Sequence, residues 1–169
     1  MDNIIFSNPA IMPSIPYSVC QYSLKQRTTL RPPHRHEQFA ELTYITGGSG
    51  IYTIDGKSYP IKEGDILLYN KGSFHEIAPD SKNTVYHICF GLANLSLKGL
   101  PSGHMTKPGD GFVRPSGEKK NIIESLVKTL YETLQENPSD LRSELSDALL
   151  KPLLLVSVNM PADERTEEM

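Results

Sequence analysis

The sequence has few cysteines and little excess charge of either sign. Only Cys20 and Cys89 occur among 169 residues, and their separation matches neither a zinc-binding pair nor a redox pair. We interpret them as reduced thiols, which favours a cytoplasmic location. The formal net charge is only -3, with no basic stripe to contact phosphates. Specific binding of duplex DNA by this chain itself is therefore not expected.

Long apolar runs are also missing. No stretch approaches the length of a membrane span, so a membrane partner is not expected. The apolar run at residues 3–6 is followed by Ser and Pro and is too short for the core of a signal peptide. We find no Gly-rich phosphate loop, no Cys-Cys zinc pairs and no Ser/His/Asp arrangement. What is left is one ordinary domain, long enough to bury a core.

Strand signals dominate residues 34–92. Asp55-Gly56 lies between two runs of β-branched and aromatic residues, which is the strongest short-range signal for a hairpin, because a type I′ turn needs positive φ at both central residues. Several short strands separated by Gly-marked turns are typical of a sandwich or barrel. The sequence therefore predicts a mainly β core, with strands at residues 41–46, 51–54, 57–61, 66–69 and 84–90.

The segments on either side of this core have other patterns. Residues 1–33 are punctuated by prolines and are predicted to be an N-terminal arm that ends in edge strands. Residues 93–115 are rich in Gly and Pro and are predicted to be a linker or loop. Residues 161–169 form a charged tail without an apolar face.

Residues 116–160 change to a helical period. Apolar residues recur at three- and four-residue steps, which predicts two amphipathic helices near 118–136 and 139–160. Ser116 and Ser139 are the predicted N-caps. Pro152 predicts a kink or a break in the second helix.

Four residues have the chemistry of a first-row metal site. Two histidines that are two residues apart face the same side of a strand, and a small barrel can bring distant strands to a common interior. Three imidazoles and a carboxylate suit a divalent Zn, Ni, Mn or Fe ion. The same residues can instead line a metal-free polar pocket, which is the interpretation we favour, with Thr43 and Ile45 as further candidate ligand contacts. The candidate metal ligands are His34, His36, Glu41 and His75.

These residues resemble the two motifs of the cupin superfamily. His34, His36 and Glu41 fit the first motif, which Gly48 closes, and Gly64, Gly72 and His75 fit the second. The resemblance implies a cupin-like double-stranded β-helix, or jelly-roll barrel, followed here by two C-terminal α-helices.

The sequence also departs from the cupin pattern. Thr28 replaces the opening glycine of the first motif, Asn70 the usual proline of the second, and Pro79 its final asparagine. These departures point away from the strict enzyme pattern. The alternative nevertheless stays open: a stand-alone cupin metalloenzyme of dioxygenase or isomerase type would use the same three histidines and glutamate.

A narrower resemblance is to the ligand-sensing domain of AraC/XylS-type transcription regulators. It rests on Pro33-His34-Arg35-His36, on Phe74-His75, and on residues 41–50, 54–61 and 64–68. It implies a non-catalytic domain that binds a small-molecule effector, such as a sugar or an organic acid. It also implies that DNA is contacted only by a helix-turn-helix domain that is not in this chain, toward which residues 161–169 would lead.

The second helix carries more leucine than one barrel contact is expected to cover. Residues of this kind left in water are unfavourable, so a second partner is the natural resolution. The sequence therefore predicts a homodimer through that helix, with residues 116–160 as the dimerisation segment. The leucine-rich set is Leu149, Leu150, Leu153, Leu154 and Val156.

Overall fold

The computed structural model describes residues 2–8, 13–14, 20–23, 33–79 and 84–163. Its strands are β1 (Cys20–Ser23), β2 (Ala40–Ile54), β3 (Lys57–Lys62), β4 (Asp65–Tyr69), β5 (His75–Pro79), β6 (Val85–Leu92) and β7 (Val113–Pro115). A 3₁₀ turn at Gly117–Lys119 precedes the helices α1 (Lys120–Gln135) and α2 (Asp140–Asn159). The predicted fold class, a mainly β domain followed by two helices, is confirmed.

Two antiparallel sheets share the long strand β2. The first half of β2 pairs with β6 on one side and β4 on the other, and this sheet has the strand order β1-β6-β2-β4-β7. The second half of β2 pairs with β3 and β5. Because one strand belongs to both sheets, the sheets curl around a common interior, which is the cupin-like arrangement.

A bulge in β2 marks the passage between the sheets. The pairing with β6 shifts between Ile45 and Gly47, so that one extra residue stands on β2. Gly48 follows with φ of +77°, and a Cβ at this position would lie 1.6 Å from the carbonyl oxygen of Thr84. Only glycine combines this conformation with so close an approach of two backbones.

The hairpin at Asp55-Gly56 is confirmed. Both turn residues have positive φ, 48° at Asp55 and 79° at Gly56, as a type I′ turn requires. The Asp55 carboxylate also accepts a hydrogen bond from the Phe74 amide at 2.8 Å, which ties the turn to the start of β5.

Side-chain alternation divides the apolar residues into two clusters. The inner cluster lies between the sheets and includes Ile45, Leu67 and Val113. The outer cluster lies between the first sheet and the helices, and joins Leu42, Tyr44, Ile66, Leu68 and Phe90 to Ile123, Val127, Leu150, Leu153 and Leu154. Burial of each such side chain stabilises the fold by about 1.5–3 kcal/mol.

The leucine-rich part of α2 is therefore core, which corrects one premise of the sequence analysis. Leu150, Leu153 and Leu154 are fully buried, and Leu149 and Val156 are partly buried against the same cluster. These side chains are covered more fully than contact with the barrel alone allows, because α1 also packs along α2. The large apolar side chains that stay exposed on α2 are Leu141 and Leu145.

The helix ends agree with the sequence at one cap and differ at the other. Ser139 has extended backbone, and its hydroxyl accepts a hydrogen bond from the Arg142 amide at 3.1 Å, so this N-cap is confirmed. The prediction that Ser116 is the N-cap of the first helix is wrong. Its backbone is already helical, its side chain makes no capping hydrogen bond, and it precedes the 3₁₀ turn rather than α1.

The sequence predicted a kink or a break at Pro152. Helix α2 runs without a break through this residue, so the break is wrong. The proline removes one donor to the carbonyl of Ala148. Both residues lie on the exposed side of the helix, where water can bond that carbonyl instead.

Residues 93–115 do more than link the barrel to the helices. The segment supplies β7, which pairs with β4, and its side chains Leu95, Leu97 and Met105 are buried in the outer cluster.

No helix in the described ranges has both the length and the apolar character needed to cross a bilayer.

Replacement of Gly48 by alanine tests the junction between the sheets. The added Cβ must strain φ and also displace the Thr84 carbonyl, so we expect Gly48→Ala to lower the unfolding free energy well beyond the roughly 1–2 kcal/mol that left-handed backbone costs an L-residue. Gly56→Ala is the matched control, because its φ is similar and no atom lies within 4 Å of the added Cβ. Denaturant unfolding of both variants should separate them, and equal losses would contradict the role of Gly48.

Candidate functional site

Three histidines converge at one end of the interior. His34 and His75 form an isolated antiparallel bridge, with His34 N donating to His75 O at 3.1 Å and His75 N donating to His34 O at 2.9 Å. His36 lies two residues on and faces the same side, and its ring centroid is 5.0 Å from that of His34. One nitrogen from each ring lies within 4.8 Å of the others. The structure thus brings together three of the four predicted metal ligands.

His75 is oriented by its own loop. Its Nδ1 lies 3.0 Å from the carbonyl oxygen of Ser73, which can only accept, so Nδ1 carries the proton. Its Nε2 is buried and has no hydrogen-bond partner among the described residues. Burial lowers the pKa of His75, and this effect outweighs the attraction of Glu41, which raises it. The net lowering of the pKa favours the neutral ring. A neutral imidazole held by a backbone carbonyl at one nitrogen is the usual form of a metal-binding histidine.

Glu41 adjoins the cluster through His36. Its Oε2 lies 3.3 Å from His36 Nε2, and both side chains are largely buried. Burial raises the pKa of Glu41, but the contact with His36 at 3.3 Å and the electrostatic effect of His75, His36 and His34 outweigh it, and the net pKa is lowered. The side chain is therefore held as a carboxylate beside three nitrogen ligands.

Thr43 supports Glu41 from inside the barrel. Its hydroxyl is fully buried and lies 3.3 Å from Glu41 Oε1 and 3.0 Å from Cys89 Sγ. A hydroxyl has one proton to donate, and the carboxylate is the stronger acceptor. Ile45, one step further along β2, is buried in the inner apolar cluster and forms part of its wall.

The interior also holds polar residues that the sequence analysis did not assign to the site. The ring of Tyr69 stacks on His75, with centroids 4.3 Å apart, and the ring of Tyr52 lies 6.0 Å from Tyr69. Within the described ranges no hydrogen bond of normal geometry satisfies either hydroxyl, and burial raises the pKa of both well above the ordinary value. His87 is 1% exposed and faces the Tyr52 ring.

Two of these polar residues, Tyr69 and His87, could have been placed in the interior from the sequence, because every second residue of a strand faces the same side. Tyr69 is two residues after Leu67, and His87 is two residues before Cys89. Tyr52 could not be found in this way, because the bulge at residues 45–47 reverses which residues of β2 point inward.

Aromatic groups border the cluster. Phe39 stacks on His36 with ring centroids 4.3 Å apart, which fixes that imidazole from the outer side. Arg35 points away from the histidines, pairs with Glu37, and places its guanidinium 5.0 Å from the centre of the exposed Phe74 ring. The alternation of His34, Arg35 and His36 is that of an extended chain.

Chemically, this end of the interior offers three imidazole nitrogens, one carboxylate and two tyrosine hydroxyls. The donor set fits a borderline divalent cation, and the orphaned Nε2 of His75 points to such a ligand role. The hydroxyls can donate to or accept from a bound organic molecule.

Comparison with known sequences identifies the family. The profile of the AraC-like ligand binding domain matches residues 16–151. The chain belongs to this family. The match includes all the site residues described above and both helices as far as the middle of α2.

Two curated relatives of this AraC-like domain are transcription regulators. The HTH-type transcriptional regulator YdiP of Escherichia coli K12 is 25% identical over 123 residues, which is 73% of this chain and 41% of that protein. The HTH-type transcriptional activator RhaR of Mannheimia succiniciproducens is 26% identical over 136 residues, which is 78% of this chain and 48% of that protein. The chain spans less than half the length of either relative.

Among solved structures, a cupin protein from Bacteroides fragilis is similar at 27% identity, covering 49% of this chain and 70% of that one with a TM-score of 0.43.

Replacement of Thr43 tests its support of Glu41. Thr43→Val keeps the shape but removes the hydroxyl, so we expect a loss of about 1–3 kcal/mol in unfolding free energy, because a buried carboxylate loses a donor. In a Glu41→Leu background, Thr43→Val should cost much less unfolding free energy, because the carboxylate that needs the donor is absent. A double-mutant cycle from denaturant unfolding measures this coupling, and strictly additive effects would show that the two side chains do not interact.

Proposed function

We propose that this chain is the effector-sensing domain of an AraC-type transcription regulator. A small molecule would bind in the barrel and control a helix-turn-helix domain that lies outside this chain. The observation that carries the proposal is the buried polar site of His75, Tyr52 and Tyr69 inside a domain of a ligand-binding family. The regulator relatives support the DNA-linked role. The cytoplasmic location stays a prediction that follows from this role.

We further propose that His34, His36 and His75, with Glu41, hold a divalent Zn, Ni, Mn or Fe ion. Such an ion would supply a Lewis-acidic centre for carboxylate or hydroxyl oxygens of the effector. The protein's own contribution is to fix the ligands: Ser73 orients His75, Phe39 holds His36, and Thr43 holds Glu41. A metal-free pocket with the same polar groups is the competing interpretation.

The proposed role is binding without turnover. A cupin metalloenzyme would present the same ligands, so the cluster does not separate the two classes. The two helices packed on the first sheet, and the regulator relatives, favour a domain that transmits a signal.

A ligand screen distinguishes sensor from enzyme. Sugars and small organic acids are added to the protein under air with Zn²⁺, Ni²⁺, Mn²⁺ or Fe²⁺, and unfolding temperature is recorded. An effector that binds only the folded protein raises the unfolding temperature by mass action. At a hundredfold excess over Kd, the unfolding free energy increases by about 2.7 kcal/mol. NMR of the same samples must then show the compound unchanged after long incubation. Steady consumption of the stabilising compound would support the enzyme instead.

Removal of one imidazole tests the metal ligands. We expect Ni²⁺ or Zn²⁺ to bind one per chain, and His75→Ala to weaken binding by more than the roughly 10–100-fold that loss of a supporting partner costs. His104→Ala is the matched control, because His104 lies in the 93–115 segment outside the cluster. Titration calorimetry gives both affinities, and the Co²⁺ absorption spectrum reports the ligand change. Equal affinities for the two variants would exclude the cluster as the site.

Dimerisation through α2 also stays a proposal, but through the exposed face of the helix instead of the leucine-rich face that is buried in the core. Leu141 and Leu145 are 64% and 40% exposed, and with the partly buried Leu149 they follow one another at four-residue steps. We propose that a second copy of this chain covers this stripe.

Charge substitutions separate interface from core. Leu141→Glu with Leu145→Glu should give a folded monomer, whereas Leu150→Glu should destabilise the fold, because Leu150 is fully buried within one domain. Sedimentation measures the first effect and thermal unfolding the second. An unmodified protein that stays monomeric at high micromolar concentration would contradict the dimer.

A further inference from the structure

The two cysteines lie opposite each other in the sheet, although they are far apart in the sequence. In the antiparallel pairing of β1 with β6, Cys20 is directly opposite Cys89. The same row continues into β2, where Thr43 is directly opposite Cys89. Directly opposite positions of an antiparallel pair share a face of the sheet. The fold therefore brings together two cysteines that belong to no redox motif in the sequence.

The spacing of such opposite residues suits a disulfide bond. In an antiparallel pair their Cα atoms are about 4.5 Å or about 5.5 Å apart, depending on whether the two residues exchange backbone hydrogen bonds. Disulfides usually join Cα atoms that are about 4.4–6.8 Å apart. Either kind of pair therefore allows a bond between Cys20 and Cys89 while β1 and β6 keep their register.

Cys89 carries a reduced thiol in the wall of the barrel. Its side chain is buried, and its Sγ lies 3.0 Å from Thr43 Oγ1. Burial shields a thiol from oxidants in solution. Oxidation of Cys89 therefore needs a local opening of the wall.

Strand β1 provides such an opening. It has four residues, lies at one end of the strand order, and pairs only with β6 in the described part of the sheet. Short pairings at an edge open locally at a smaller free-energy cost than central strands do. Separation of β1 from β6 exposes Cys89, and a bond that forms when the strands close again fastens β1 in place.

We propose that Cys20 and Cys89 form a reversible disulfide when the protein meets hydrogen peroxide, so that the attachment of β1 to the barrel depends on redox state. Disulfides in a reducing compartment are usually transient and redox-sensing, which agrees with two thiols that are reduced at rest.

The chemistry of this step is a two-electron oxidation. One thiolate attacks the O–O bond of the peroxide, which gives a sulfenic acid and hydroxide. The second thiolate attacks the sulfenic sulfur and expels another hydroxide, while the S–S bond forms. The two hydroxides take up the protons that the thiols released and become water. A dithiol restores both cysteines by thiol–disulfide exchange.

Trapping of the thiols tests the disulfide. The full chain is reduced, freed of reductant, and treated with a small excess of hydrogen peroxide in EDTA, which removes metals that oxidise thiols. We expect each chain to lose two hydrogen atoms, to resist alkylation by iodoacetamide, and to yield a peptide pair that joins Cys20 to Cys89. Dithiothreitol should restore both thiols. Two thiols that stay open to alkylation, a covalent dimer, or a sulfenic or sulfinic acid as the main product would overturn the proposal.

Moving one cysteine by a single position tests the register. In a Cys20→Ser background, Gln21→Cys places the cysteine opposite Ile88, at a position on the other face of the sheet, because neighbouring residues of a strand alternate between faces. We expect this variant to form its intramolecular disulfide roughly tenfold more slowly than the unmodified chain, or not at all. Equal rates would show that the paired strands do not select the bond, which would overturn the assignment.

Thermal unfolding tests the fastening of β1. The oxidised chain should unfold about 5–15 °C above the reduced chain, because a cross-link that closes a long loop restricts the unfolded state. Cys20→Ser retains Cys89 and is the matched control, which should show no such shift after peroxide. An unfolding temperature that is equal or lower in the oxidised chain would contradict the redox-dependent attachment of β1. None of these measurements needs an effector or a metal, so their outcome is independent of the proposed function.

Discussion

The pairing of β2 with four other strands is the constraint on which the rest of the domain depends. Its first half aligns β4 and β6, and its second half aligns β3 and β5. Between the halves, one extra residue shifts the pairing and reverses the direction of alternate side chains. Glu41, Thr43 and Ile45 therefore point inward before the bulge, and Tyr52 and Ile54 point inward after it. Without the extra residue, the tyrosine would lie on the outer face.

This geometry explains how a polar site can persist inside an apolar barrel. An unpartnered buried polar group is costly, and each strand contributes only one or two such groups between apolar neighbours. The bridge of His34 to His75 ties the chain before β2 to β5, so that the imidazoles meet where both sheets end. Glu41 and Thr43 reach the same place from β2, and Tyr69 from β4. The site is thus assembled from several strands, and no single segment could fold it alone.

Much of this arrangement could be predicted from local rules. The Asp55-Gly56 turn, the two helices and the shared face of His34 and His36 follow from φ preferences and periodicity, which act over a few residues. The motif resemblance added Glu41 and His75. What could not be predicted depends on contacts between distant elements: the burial of Leu150 against α1, the strand β7, and the inward direction of Tyr52 after the bulge. Asn70 was noticed as a departure from the motif, but its partners lie more than thirty residues away along the chain.

The most direct test of the central claim, that the barrel interior binds a small effector, is to identify what the protein carries when it is isolated without chelators. Mass spectrometry under non-denaturing conditions, with metal analysis of the same sample, should find one divalent ion or one small organic molecule per chain, released together with unfolding. The His75→Ala and Tyr69→Leu variants should lose it. A chain that carries nothing, and whose unfolding temperature no metal or small acid or sugar changes, would contradict the account.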